Sequence, residues 1–392
     1  MSFFVRSWAA AVLILVAVTA AYCQDRPYKR MMGDELTFTG HAGQLDGLSH
    51  DAPICIGGFL PDTDNHPAGQ AVIKGILLAL EQANTAGGYQ GRMFEFKRRW
   101  AGSPWGAGSK EMIRLVYEDH AMAVISYLAA ATHVAQQTAL KSYIPVITPV
   151  ATDTTLTHAR VPWIFRLPPD DEIQAKALVG AYLSGVSAAG PPGLITATDA
   201  DSRVATRELT LEMNRKGIPP KFHHEIDPAG TDLSPLFNML ADQAAENPVN
   251  RVFVRLPHHQ MQRFIQGLKR YAIPSHLYIP WIPGLDVPQG LRSTGVHCTV
   301  IAPLDHSRSG VRFSQFAAAF QNRYKEEPLP CAAYGYDAAQ MVIQAVQQAG
   351  PGRAGIRQAL AQRKKFQGVT GPITWDTGGG NTSGAPDISI YP

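Results

Sequence analysis

Residues 144–157 read IPVITPVATDTTLT. A short apolar strand runs into a turn whose hydroxyls belong to Thr148, Thr152, Thr154, Thr155 and Thr157, with one carboxylate, Asp153, and no histidine, cysteine or lysine. A hydroxyl beside a helix-start amide suits an anion, and a hydroxyl beside a free carbonyl suits an ammonium. These residue types point to holding a small polar molecule rather than breaking bonds. The competing reading is that Thr152 and Asp153 cap the next helix.

Groups that catalysis or metal binding would need are poorly arranged. His223–His224 and His258–His259 are adjacent pairs. Neighbours on a strand such as KFHHEID point to opposite faces, so they cannot easily share a metal. TGGGN at 377–381 lacks the Gly-Lys-Ser/Thr of a phosphate loop, and no helix pattern follows it. There is no G-x-S-x-G elbow and no H-E-x-x-H. Asp170–Asp171 open a helical pattern, where acids favour the dipole. No enzymatic activity, metal or cofactor is expected. The four cysteines (Cys23, Cys55, Cys298, Cys331) are too widely spaced to fix a disulfide pairing, and without a C-x-x-C zinc is not expected.

The elements around the turn alternate. APICIGGFLP (52–61) is a buried-strand pattern, and Gly69 to Asn84 places Ile73, Ile76, Leu77, Leu80 and Ala83 on one helical face until Gly87–Gly88. Strands follow at 93–100, 123–128, 144–148 and 163–167, with helices between them. The grammar then restarts: strands at 193–199, 221–227, 250–256, 276–281 and 295–303 alternate with helices, helices return at 310–325, 332–349 and 354–362, and the tail reads as two strands around a glycine-rich turn. Such alternation means parallel sheets with helices on both faces. Two runs of it predict two doubly wound α/β lobes, with ligands at the carboxyl ends of the strands. That rule selects the turns after Leu60, Leu128, Thr148, Thr198, Leu256 and Pro280.

The totals agree. The chain has 392 residues, 45% apolar and 17% charged, which supports a packed core in two domains. A net charge of +3 with no Lys/Arg-rich run argues against nucleic acid as a partner. At the N-terminus, Arg6 precedes an apolar run from Trp8 to about Val18 and then Thr19, Ala20 and Ala21. This is the pattern of a secretory signal, expected over 1–23, with a retained anchor as the competing reading. Tyr22 is bulky where a lipoprotein signal wants a small residue, which argues against a lipid anchor at Cys23. Residues 24–51 read as a linker or mobile arm. The mature product is expected to be periplasmic and soluble.

The ordered series GGFLPDTDNHPAGQAVIKGILLALEQANTAGG, AVISYLAAAT, IPVITPVATDTTLT, WIFRLPPDDEIQAKAL, AAYGYDAAQMVIQAVQQAG and KFQGVTGPITWD resembles the type I periplasmic solute-binding proteins of ABC importers, the group containing the leucine/isoleucine/valine-binding proteins. The resemblance spans roughly residues 53 to 392. It implies two lobes joined by three crossings: 52–168 with 303–364, and 169–302 with 365–392. It also implies a small amino-acid-like or other carboxylate-bearing ligand, held in the cleft by hinge closure, and permease subunits as partners. A periplasmic sensor or accessory protein with the same fold is the alternative.

Site residues carried over from the resemblance begin with Ala151, through its carbonyl, and Thr152, through its hydroxyl. In the other first-lobe segment amino-acid binders have a serine pair. Here stand Tyr127, Leu128, Ala129 and Ala130, one residue shorter, so an amide of Ala130 or Ala131 remains for a carboxylate but the hydroxyl is lost. The second lobe departs further. Asp201 stands where a tyrosine is usual, Arg255 opens a loop that usually begins with glycine, and Trp281 replaces an acid. Arg255 could clamp a carboxylate or pair with Asp201. Trp281 could stack on a ring or pack between lobes. Asp201 could take an ammonium or a hydroxyl. Trp105 could line the cleft lip or pack at the surface.

Overall fold

The computed structural model describes residues 52–61, 66–185, 191–246, 250–285, 296–302, 304, 310–363, 365–383 and 387–391. The expected signal at 1–23 and arm at 24–51 lie outside them. The first sheet contains β1 (Ile54–Gly58), β2 (Phe94–Arg98), β3 (Ala123–Ile125), β4 (Val146–Thr148) and β5 (Ile164–Arg166) in the order β2-β1-β3-β4-β5, all parallel. Helices cover both faces, which is why β1, β3, β4 and β5 are buried throughout and read as apolar runs. The edge strand β2 is less buried and carries Glu95, Lys97 and Arg98.

The second sheet contains β6 (Gly193–Ala197), β7 (Phe222–Ile226), β8 (Asn250–Arg255), β9 (Ser275–Ile279), β10 (His297–Ala302) and β13 (Asp387–Tyr391). Its order is β13-β10-β9-β8-β6-β7, parallel except for β13, which runs antiparallel to β10. The chain therefore leaves the first sheet after β5 and returns after β10 for the helices Gly310–Tyr324, Pro330–Ala349 and Arg353–Ala361. It crosses again to reach β13.

The tail is divided differently from the expectation that 365–392 all joins the second lobe. β11 (Phe366–Gly368) and β12 (Gly371–Ile373) form a separate hairpin. It is tied to the helix Pro330–Ala349 by buried Asp337, which accepts from the Val369 and Thr370 amides at 2.8 and 2.9 Å. The glycine turn then lies along β5: Arg166 N donates to Gly379 O at 2.9 Å, and Asn381 Nδ2 to Leu167 O at 2.7 Å. Gly379, at φ +82°, allows this approach. Only β13 enters the second sheet.

The buried stripe of the helix Pro67–Thr85 also differs from the expected one. Leu77 is exposed, and the helix buries Ala68, Ala71, Val72, Gly75, Ile76 and Ala79. Small residues win because this face meets the helix Pro330–Ala349 at very short range. A Cβ on Gly75 would collide with the Ala332 carbonyl, and one on Gly335 with the Val72 carbonyl. The contact fixes the start of the first helix, where the cleft begins. The helix Ala129–Ser142, which also opens at the cleft, is held at its far end by buried Arg353, which donates to Ser142 O (3.2 Å) and Val116 O (2.7 Å).

Gly75→Ala is expected to destabilise the protein by about 1–3 kcal/mol through overpacking, despite the better helix propensity of alanine. Gly180→Ala, in the helix Asp171–Gly185 with open space around its Cβ, should instead stabilise by about 0.5–1 kcal/mol. Urea unfolding of both variants checks the opposite signs.

Candidate functional site

The strand ends of both sheets face a cavity of about 340 Å³, a size suited to a small organic molecule. From the first lobe come His66, Pro67 and Ala68 after β1, and Tyr127 and Leu128 after β3. From the second come Asp199 and Asp201 after β6, Pro228 after β7, Arg255, Pro257, His258 and His259 after β8, and Ile282 and Pro283 after β9. The wall is largely apolar, with Arg255 and the two aspartates as its charged groups.

Buried hydroxyls shape the β3 turn. Ser126 Oγ and Thr132 Oγ1 share a hydrogen bond of 2.8 Å, and Thr148 Oγ1 donates to Tyr127 O at 2.8 Å. Tyr127 is thus fixed edge-on to His66, with ring centroids 6.4 Å apart. Burial pushes its phenol above the ordinary tyrosine range. Burial also lowers His66 and His258, favouring their neutral forms.

Arg255 is 5% exposed. Its Nη1 donates to Leu256 O at 3.1 Å, and among the described residues no carboxylate oxygen lies within ion-pairing distance of it. Two acids nonetheless feel its field. Burial raises Asp171 from 3.8 to about 8, with Arg255 and the Thr152 hydroxyl pulling it back and Asp153 and Asp170 pushing it further up. Burial raises Asp201 to about 6; Arg255 and the Ala129 amide lower it, while Asp199 and Asp153 raise it. Asp199 caps the helix Ala200–Arg215 by accepting from Ser202 N at 3.0 Å, and its Oδ2 is buried without a hydrogen-bond partner. Clusters of perturbed acids at strand ends mark functional sites more often than chance.

Of the residues singled out in the sequence, the structure brings Tyr127, Asp201 and Arg255 to the cavity. Ala130 is half-buried outside the lining. Ala151 is buried, its amide donating to Thr148 Oγ1 at 3.2 Å. The Thr152 carbonyl accepts from the Asp171 amide at 2.8 Å, and its hydroxyl pulls the Asp171 carboxyl back toward the ordinary range. Asp153 accepts from Thr155 N at 2.7 Å, just before the short helix Thr155–His158, and pairs with His133 at 2.9 Å. Trp281 does not line the cavity. Its ring lies 5.4 Å from that of Tyr334, and its amide donates to Gln174 at 2.9 Å, so it packs where the lobes meet. Trp105 is 55% exposed at the surface, away from the lining. The reading by residue pattern missed Asp171 and Asp199. The first was taken as a dipole partner at a helix start, and no local signal marks its burial.

Among the described residues no group of three or more His, Cys, Asp or Glu could hold a metal ion, and no helix is long and apolar enough to cross a membrane. Cys55, Cys298 and Cys331 are buried and unpaired.

The comparisons match this architecture. The periplasmic binding protein family model matches residues 53–386, and the chain belongs to that family, whose members are solute-binding proteins rather than enzymes. Solved relatives share the fold. The branched-chain amino acid transporter substrate-binding protein LivJ from Streptococcus pneumoniae, in complex with isoleucine, is 21% identical, with 84% of this chain and 93% of that one covered and a TM-score of 0.72. A solute-binding protein of an ABC transporter from R. palustris, in complex with benzoate, is 19% identical over 86% and 92%, with a TM-score of 0.70. One from Rhodopseudomonas palustris BisB5, in complex with 3,4-dihydroxybenzoic acid, is 18% identical over 87% and 92%, with a TM-score of 0.72. No curated protein matches the chain.

Asp171 makes stability depend on pH. Its folded-state pKa is raised, so its contribution is present below the unfolded value of 3.8 and is lost as pH rises through about 8. Asp171→Asn, which cannot ionise, should gain in melting temperature relative to the native chain as pH rises from about 5 to about 9. Parallel melting profiles for the two proteins would show that Asp171 is not held neutral.

Proposed function

We propose that the protein is an exported receptor that captures a small carboxylate-bearing organic molecule between its lobes and delivers it to the permease subunits of an ABC importer. The observation that carries this reading is Arg255: a buried guanidinium on the cavity wall, bonded to the Leu256 carbonyl and, among the described residues, to no carboxylate. A guanidinium fork matches a carboxylate bidentately, and the bond is strong where water is excluded. The rest of the wall, with Pro67, Leu128, Pro257, Ile282 and Pro283, suits an apolar body. Isoleucine, benzoate and 3,4-dihydroxybenzoic acid, bound by the relatives, each carry a carboxylate on such a body. Export is supported by the basic start, short apolar run and small residues of 1–23. Delivery to a permease is supported by membership of the binding-protein family.

A thermal-shift panel of branched-chain amino acids, benzoates and short aliphatic acids is expected to show one class that raises the melting temperature, because a ligand for the folded state stabilises it. Arg255→Ala should weaken that ligand by about 2 kcal/mol or more, about 30-fold, with Arg255→Lys recovering part of the loss. If no carboxylate shifts the melting temperature, the reading fails.

A further inference from the structure

The helix Ala129–Ser142 opens into the cleft without a side-chain cap at its N-terminus. Free amides there, reinforced by the helix dipole, form a seat for an anion. A carboxylate of the protein itself shares this place: Asp201, from the other lobe, lines one cavity with Tyr127 and Leu128, the residues that lead into the helix. The two helices that carry these groups, Ala129–Ser142 and Ala200–Arg215, pack against each other across the cleft. Asp199, two residues earlier at the N-cap, adds a second carboxylate with a buried, unpartnered Oδ2. Arg255 lines the same cavity, and among the described residues no carboxylate is paired to it.

We propose that Asp201 is the specificity determinant of the cleft: it places its own carboxylate on the amide seat of the first lobe, so the acid group of a ligand goes to Arg255 and a second anionic group is rejected. The proposal rests on Arg255 as the carboxylate anchor and goes beyond it by naming the ligand class, a monocarboxylate. Like charges brought together in a water-poor site repel strongly, so discrimination against the wrong ligand comes from this repulsion as much as from attraction elsewhere. The remainder of the ligand would meet Tyr127, Leu128 and Ile282, an edge that is mainly apolar.

The test is isothermal titration of the mature chain with two probe sets at neutral pH. One holds monocarboxylates (benzoate and butyrate) and the other dicarboxylates of several lengths (succinate, glutarate and terephthalate). The native protein should bind a monocarboxylate and reject the dicarboxylates. Asp201→Ser removes the charge and vacates the seat, and should raise the dicarboxylate-to-monocarboxylate affinity ratio about tenfold or more for at least one dicarboxylate. Asp201→Asn keeps the shape without the charge, and should move the ratio in the same direction by less, which guards against misfolding of the serine variant. A native protein that binds both sets equally would overturn the proposal, as would an unchanged ratio in the folded variants. In both cases Arg255→Ala would still weaken monocarboxylate binding by about 30-fold. If no carboxylate of either set binds the native chain, the receptor reading itself falls, and this one with it.

Discussion

A guanidinium held almost wholly out of water with one carbonyl partner is the constraint around which the cleft is organised. Burying a charge without a counter-ion is costly, and Arg255 is offset only by the more distant fields of Asp171 and Asp201. Those acids are themselves opposed by burial, which favours their neutral forms. The fold thus places one cation that cannot lose its charge near Asp171, raised to about 8, and Asp201, raised only to about 6 and so still charged at neutral pH.

Neither lobe makes this arrangement alone. β8 delivers Arg255 and β6 delivers Asp199 and Asp201, while β3 and its following helix present Tyr127 and the Ala129 amide from the opposite side. Parallel sheets put all these strand ends on one edge. The first lobe is kept rigid behind that edge by the glycine contact between the helices Pro67–Thr85 and Pro330–Ala349, and by Arg353 at the ends of two helices. At the lobe junction, Gln174 and Trp281 connect the helix Asp171–Gly185 to the segment after β9. Trp281 therefore packs where the lobes meet, against the Tyr334 ring and the Gln174 side chain.

The fold was legible because its signal is repetitive. Apolar strands and amphipathic helices alternate in two runs, and the order of motifs matches a known family. Helix faces and the division of the tail were less legible. Leu77 fits the apolar stripe by periodicity but is exposed, while Ala71, Gly75 and Ala79 are buried beside Ile76 and Leu80, since backbone proximity matters more there than side-chain size. The tail was read as one lobe's property, but Asp337 and Arg166 draw its hairpin and glycine turn to the other.

What the sequence determined by itself was the architecture, the absence of a catalytic constellation, and the identity of unusual residues at strand ends, Arg255 and Asp201 foremost. Only the tertiary structure decided which of them share a cavity. The turn IPVITPVATDTTLT supplied the most conspicuous hydroxyls, yet Thr152 is turned to Asp171 and Asp153 to His133 and Thr155. The reason is physical. A hydroxyl or carboxylate bonds whichever partner folding brings within reach, and those partners lie far away in sequence or on the opposite lobe. The pattern along a strand reveals which face a side chain takes, but not what waits on that face.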